Sequence, residues 1–437
     1  MLYPHQTAMK IQRSFNLYFA CFLLGLCLLL IPTRTKAFSI LAHEAIIDAA
    51  WDKTLKPILL AKYPNATDND LKKAHAYAYG GCLVPDMGYM PFGDPYFTNL
   101  LHYVRTGDFV MELINDEQNI DQYAFALGVL SHYLADEYGH SLATNETVPL
   151  LYPKLEQKFG TVVTYGDDHT SHSRTELAFD VLQTAKGNYA STAYHDFIGF
   201  SIDSTLLATA FQKTYGESLK EMFPKYSTTV STFRWGVRDL FPAMTHRAWH
   251  LKKNDIRKEN AGITQEKFKY HMNRRMFHQE FGSDYTQPKF SARFVSLIIK
   301  LLPKIGPLKK LKFIYPGPEG EKLFAKSMDS TLYHFTADLK LVNENRLKLV
   351  NMDYDTGKPT VIYEYKLTDE TYRDWILKLQ KNDFKDTSPD MRGDILGFYS
   401  KADTTALAKN EPDVMKAIKQ LQTYTATAPA PAFPVVQ

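Results

Sequence analysis

The clearest hydrophobic pattern in the chain is "IDQYAFALGVLSHYLADEYGHSL", Ile120 to Leu142. Tyr123, Phe125, Ala126, Leu130, Tyr133 and Leu134 recur at helical spacing, good helix formers fill the gaps, and no proline interrupts. The pattern predicts a helix covered on most sides. Three polar residues break it. His132, Asp136 and His140 stand four apart, and four residues advance an α-helix by about 400°, so they share one stripe. A polar stripe in a buried helix must be satisfied by hydrogen bonds or by a metal.

The same periodicity predicts helices over Ala42–Lys62, Asp68–Tyr79, Phe97–Asn115, Ser171–Lys186 and Thr205–Tyr215. Loops rich in Pro, Gly and Asp separate them, as in "GGCLVPDMGYMPFGDPY". A further helical stretch runs from Thr228 to Glu280. After about Gly306 the pattern changes. "RLKLVNMDYDTGKPTVIYEYKL" predicts a β-hairpin turning at Asp355-Thr356-Gly357, followed by helices around "YRDWILKLQ" and "DVMKAIKQLQ". The fold class is therefore mainly α. A multi-helix domain over residues 38–240 is followed by a helical extension, 241–305, and a smaller α+β accessory region, 306–422. An Ala/Pro-rich tail, 423–437, is expected to be disordered.

The N-terminus changes the reading of the rest. Lys10 and Arg13 precede an apolar run from Leu17 to Ile31, and "TKA" places Thr35 and Ala37 at −3 and −1 of a cleavage site before Phe38. Residues 1–37 thus read as a signal peptide, with Met9 as an alternative start. The run is short for a membrane span, though an uncleaved anchor is the alternative. The expected location is secreted or periplasmic. Of three cysteines only Cys82 would survive cleavage, so no intrachain disulfide is available. The net charge is +3, and the signal segment carries four basic residues and no acid, which leaves −1 for the mature chain. Such a chain has no global electrostatic attraction to nucleic acid, which is not an expected partner.

Other polar residues join the stripe. His43 stands five residues after Phe38, Asp86 sits in the "GGCLVPDMGY" loop, and His102 falls on the next helix. "DDHTSHSRTELAFD" adds His172 and Glu176 at i,i+4. Imidazole and carboxylate are the zinc ligand set, and i,i+4 pairs converge on one ion. Taken singly, each motif reads better as a hydrogen-bonded pair or a surface ion pair. The joint pattern points to metal.

That order and spacing resembles the zinc-dependent phospholipase C superfamily, which includes glycosylphosphatidylinositol-specific phospholipase D and the S1/P1 nucleases. "SHYLADEYGHSL" is similar to the phospholipase D form of the helix motif, where the second His follows the Asp by four residues. The resemblance covers about Phe38 to Asp180. It implies a phospholipase C/P1 nuclease-like helical domain around three zinc ions. By position, Asp86, His102, His132 and Asp136 would hold the first. The amine and carbonyl of a mature Phe38, with His43 and Asp136, would hold the second. His140, His172 and Glu176 would hold the third. The family often begins with Trp where this chain has Phe38. His169 rivals His172, but only His172 stands four residues from Glu176. The resemblance also implies a catalytic Asp86 that orients or deprotonates water. Zinc would polarise a phosphodiester and acidify that water.

The expected function is a secreted zinc-dependent phosphodiesterase, a hydrolase acting on phospholipids in the manner of a phospholipase C or D. A single-strand-specific nuclease of the same superfamily is the alternative, and a non-catalytic zinc-stabilised binding protein is a third reading. Some features remain outside this scheme. His246 and His250 read as a helix surface, and His75 as structural. Asp180 reads as a surface charge, with a partner to a ligating His as the alternative. "RFVSLIIKLLPKIGPLKKLKF" mixes apolar and Lys residues and allows membrane-surface contact, with a core helix and basic loop as the simpler reading. Asn65 and Asn145 fit glycosylation sequons.

Overall fold

Asn119 starts the central helix, its side chain accepting from the Gln122 N–H at 3.0 Å. The structure is a computed structural model, and it describes residues 40–90, 92–186, 199–235, 237 and 314–424. The expected signal peptide over residues 1–37, Phe38, the boundaries near 240 and 306, His246, His250, the Lys-rich run up to Lys312 and residues 425–437 lie outside the described residues. The chain is mainly α. Among the described residues the strands are Met352–Asp353 (β1) and Lys358–Pro359 (β2), paired antiparallel with Met352 opposite Pro359.

The helices are α1 (Ile40–Ala50), α2 (Lys56–Lys62), α3 (Asp68–Leu83), α4 (Pro95–Tyr103), α5 (Thr106–Asp116), α6 (Ile120–Gly139), α7 (Asn145–Leu151), α8 (Pro153–Phe159), α9 (His169–Lys186) and α10 (Ser204–Tyr215). They continue with α11 (Leu219–Met222), α12 (Tyr226–Trp235), α13 (Gly317–Asn343), α14 (Lys366–Lys381), α15 (Pro389–Tyr399), α16 (Thr404–Asn410) and α17 (Pro412–Thr423). No helix among the described residues is long and apolar enough to cross a membrane.

The helix α6 lies at the centre and is buried on most sides, as its pattern predicts. It packs along α3 at a crossing that two glycines make possible. A Cβ on Gly81 would sit 2.0 Å from the Phe125 carbonyl oxygen, and one on Gly128 would sit 2.1 Å from that of Ala78. Backbone meets backbone there, so no side chain fits between. Thr67 and Asp70 form a capping box at the start of α3. The 27-residue α13 covers another side of α6.

The helix predicted over Phe97–Asn115 is two helices. The backbone turns at Arg105, a non-glycine residue with φ +48°. The hairpin explains the break. The His102 carbonyl accepts from the Tyr354 N–H at 3.1 Å instead of continuing the helix, and the Thr106 hydroxyl donates to the Met352 carbonyl at 2.9 Å. Tertiary contacts override local propensity here. The predicted hairpin does form, with Gly357 at φ +68° closing the turn onto the Asp353 carbonyl at 2.8 Å.

Residues on both sides of the undescribed segment 238–313 share one hydrophobic core, in which Trp375, Phe335 and Leu339 join Phe97, Tyr103 and Leu130. The Trp375 indole N–H donates to the Tyr215 carbonyl at 2.8 Å, so a buried aromatic keeps its polar atom satisfied.

Candidate metal centre

Four elements bring the predicted residues together. His43 lies on α1, Asp86 on the 3₁₀ turn Val84–Tyr89 that ends α3, and His102 on the last turn of α4. His132 and Asp136 lie on α6. All five are at most 1% exposed. Asp136 is the hub. Its Oδ1 faces Nε2 of His43 at 3.4 Å, while its Oδ2 faces Nε2 of His102 at 3.3 Å and of His132 at 3.2 Å. His102 also faces Asp86 Oδ1 at 3.5 Å. The ligand atoms of His43, His132 and Asp136 lie within 4.8 Å of one another, as do those of Asp86, His102 and His132.

A second group adjoins the first, one turn on from Asp136. His140 begins a π-helical turn, His140–Thr144, that continues α6. Its Nε2 lies 3.1 Å from Glu176 Oε1, and His172 Nδ1 lies 3.1 Å from the same oxygen. His172 and Glu176 are buried on α9, so they are not a surface ion pair. His169, the rival of His172, packs instead edge-on to Tyr165 with centroids 4.1 Å apart. Phe38, the remaining expected ligand, lies outside the described residues.

The imidazoles are held from behind. His102 Nδ1 lies 2.9 Å from the Thr98 carbonyl, and His132 Nδ1 lies 2.8 Å from the Cys82 carbonyl. A carbonyl only accepts, so Nδ1 carries the proton and Nε2 keeps its lone pair for the centre. Outer hydrogen bonds of this kind fix the tautomer of metal-ligating histidines.

The donor atoms fit a metal. Both oxygens of Asp86, Asp136 and Glu176, Nε2 of His102 and His132, and Nδ1 of His172 are buried and make no hydrogen bond. So many bare polar atoms in one place would cost several kcal/mol each unless a cation met them. Without a cation the groups lean on each other. Burial opposes charge on His102, but Asp136 and Asp86 outweigh it and raise its pKa to about 9. Burial also works against the Asp136 charge, and His132 and His140 overcome it, holding that carboxyl well below its ordinary range. Imidazole nitrogens and carboxylate oxygens are donors that zinc accepts, and here they converge from helices and one 3₁₀ turn.

Residues 42–224 match the model of the zinc dependent phospholipase C family. This segment belongs to the zinc-dependent phospholipase C superfamily. No curated protein and no solved structure matches the chain. The phospholipase C segment thus contains His43, Asp86, His102, His132, Asp136, His140, His172 and Glu176, and the hairpin lies beyond it.

The structure also places residues that the sequence reading missed or misread. Asp355 from the hairpin turn puts Oδ1 3.3 Å from His140 Nδ1. Its place in an Asp-Thr-Gly turn suggests only turn chemistry, so nothing local signals it. Tyr354 packs against His102 and His132, with centroids 5.2 and 5.9 Å away. Asn145 is 2% exposed and bonds His172, so its sequon is no accessible glycan acceptor, whereas Asn65 is exposed. Asp180 is buried and accepts from the Leu41 N–H at 3.0 Å, which corrects its reading as a surface charge. Glu44 is buried too. Burial, then the charges of Asp48 and Asp180, push its carboxyl well above the ordinary value. His75 stacks on Trp51 at 3.8 Å and meets Asp48 at 3.1 Å, a structural setting as its sequence reading expects.

Proposed function

We propose that this chain is an exported, zinc-dependent phosphodiesterase that hydrolyses phospholipids. The observation that carries the reading is the carboxylate of Asp136, wholly buried and shared between three imidazole nitrogens, one on Oδ1 and two on Oδ2. A carboxylate so placed suits two neighbouring cations. The family match to zinc dependent phospholipase C supports a zinc phospholipase-type hydrolase. In this reading His102, His132, Asp86 and Asp136 would hold one ion. His43 and Asp136 would hold a second, together with the mature chain start. His140, His172 and Glu176 would hold a third.

Zinc bound there would offset charge on a phosphodiester and lower the pKa of a water. The chain's own part is positional. Asp136 fixes the spacing of the histidines from a stiff central helix. Asp86, with two oxygens free of hydrogen bonds, would orient the water and take its proton. The buried ring of Tyr354 packs against His102 and His132 and would help keep water from them, which strengthens the electrostatics of the centre. No serine or cysteine nucleophile is required.

The test is turnover by purified protein on phosphatidylcholine, on phosphatidylinositol and on single-stranded DNA, with and without chelator. Lipid hydrolysis lost on chelation and restored by zinc is expected. DNA cleavage in place of lipid cleavage would overturn the substrate, and zinc-loaded protein that turns over nothing would overturn the enzyme.

A further inference from the structure

We infer that Asp355, on the hairpin turn beyond the family segment, is a positioning residue that sets the tautomers of both His140 and His172. The inference rests on the zinc reading above and adds to it a part of the chain that the family match does not reach.

The side chain acts on His140. Asp355 Oδ2 accepts from the hydroxyls of Tyr103 at 2.7 Å and Tyr365 at 2.6 Å. These two bonds aim Oδ1 at His140 Nδ1, 3.3 Å away. A carboxylate that already draws two donors is an acceptor for a third, so the proton of His140 belongs on Nδ1. Its Nε2 lone pair then points to Glu176 Oε1 at 3.1 Å.

The main chain acts on His172. The Asp355 carbonyl accepts from Asn145 Nδ2 at 2.6 Å. A carbonyl cannot donate, so this bond decides which end of the Asn145 amide is which. Asn145 Oδ1 must then be the atom 3.0 Å from His172 Nε2, and it accepts. The proton of His172 sits on Nε2, and Nδ1 is left bare, 3.1 Å from the same Glu176 oxygen. One residue thus leaves two lone pairs and a carboxylate converging on one point.

The hairpin is built to keep this register. Asp353 Oδ1 accepts the Asp355 and Thr356 N–H groups at 2.9 and 3.2 Å. Gly357 closes the turn so tightly that an added Cβ would meet the Glu137 carbonyl oxygen at 2.9 Å, one turn before His140. Carboxylate and carbonyl partners behind ligating histidines are worth about 10- to 100-fold in metal affinity.

The test measures the successive zinc affinities of chelated full-length protein by competition with a chromophoric chelator. Asp355→Asn should weaken one zinc about 10- to 100-fold and leave the others unchanged. Tyr365→Phe, a milder variant that keeps Asp355 and its bond to Tyr103, should weaken the same zinc about two- to tenfold. Unchanged affinities in both variants, with zinc bound by the wild type, would overturn this inference alone. Equal weakening of every zinc would reduce Asp355 to a fold residue and also overturn it. A wild type that binds no zinc would remove the functional reading itself.

Discussion

Asp180 accepts a hydrogen bond from the backbone N–H of Leu41 at 3.0 Å, in a site closed to solvent. This contact ties the first turn of α1 to α9, two residues before His43. The first N–H groups of a helix have no partner within it, and a carboxylate there is also favoured by the helix dipole. Asp180→Ala should leave a buried N–H bare and cost about 1–3 kcal/mol. It should also loosen His43 and lower zinc occupancy, because α1 brings that imidazole to Asp136. Urea unfolding and zinc analysis check both effects. Unchanged stability would show that Leu41 finds another acceptor.

Much of this cluster is legible in the sequence, because most of its side chains ride on helices whose periodicity is strong. His132, Asp136 and His140 announce themselves as a polar stripe in an apolar helix, and His172 with Glu176 as an i,i+4 pair. What the sequence hides is contact between distant segments. Asp355 looks like an ordinary turn residue until the hairpin docks against Tyr103 and His140. Arg105 sits inside a run that reads as helix, yet the hairpin claims the His102 carbonyl and the chain breaks. The helix α13 goes unread because Gly317 and Gly320 in its first turn are poor helix formers that mask its start, and its long apolar face matters only once α6 is beside it. Asp180 and Glu44 illustrate the same limit. A lone acid in a helix is normally solvated, and only the fold reveals that α1 and α9 enclose both.

The close passage of α3 and α6 supplies a second prediction. Gly128 has no room for a side chain, since a Cβ would lie 2.1 Å from the Ala78 carbonyl oxygen and 3.0 Å from the Cys82 nitrogen. Those atoms are backbone and cannot swing aside. Gly128→Ala must push the helices apart, at a cost on the order of 1–3 kcal/mol or more for overpacking. The shift would lengthen the bond from His132 Nδ1 to the Cys82 carbonyl, now 2.8 Å. Zinc affinity should therefore fall along with the melting temperature, although residue 128 is no ligand. Gly393→Ala, at an exposed position of α15 where an added Cβ meets nothing within 4 Å, is the control: it should leave zinc affinity unchanged and raise stability by about 0.5–1 kcal/mol, as alanine does in place of glycine inside a helix. A Gly128→Ala protein that melts and binds zinc like the wild type would contradict the packing.

The pH dependence of stability offers a third, through Asp394 on α15. Burial raises its carboxyl, against the opposing charge of Arg105, from an ordinary 3.8 to about 6. The folded state thus holds this proton more tightly than the unfolded chain does. Between about pH 4 and pH 6 the folded protein carries more protons here than the unfolded one, so the slope of stability against pH is negative. The contribution is fully present below pH 3.8 and is lost as pH rises through 6. Its size is about 2 kcal/mol, allowing for partial exposure of the group. Asp394→Asn cannot ionise, and its amide oxygen can still accept from the Tyr372 hydroxyl, now 3.0 Å from Oδ2. Urea midpoints of the two proteins should therefore run closest near pH 4 and separate by pH 6.5, with the variant the more stable at the higher pH. Parallel curves across that range would mean that Asp394 titrates alike in both states. A wild type that gains stability over the variant as pH rises would mean that the Arg105 charge outweighs burial.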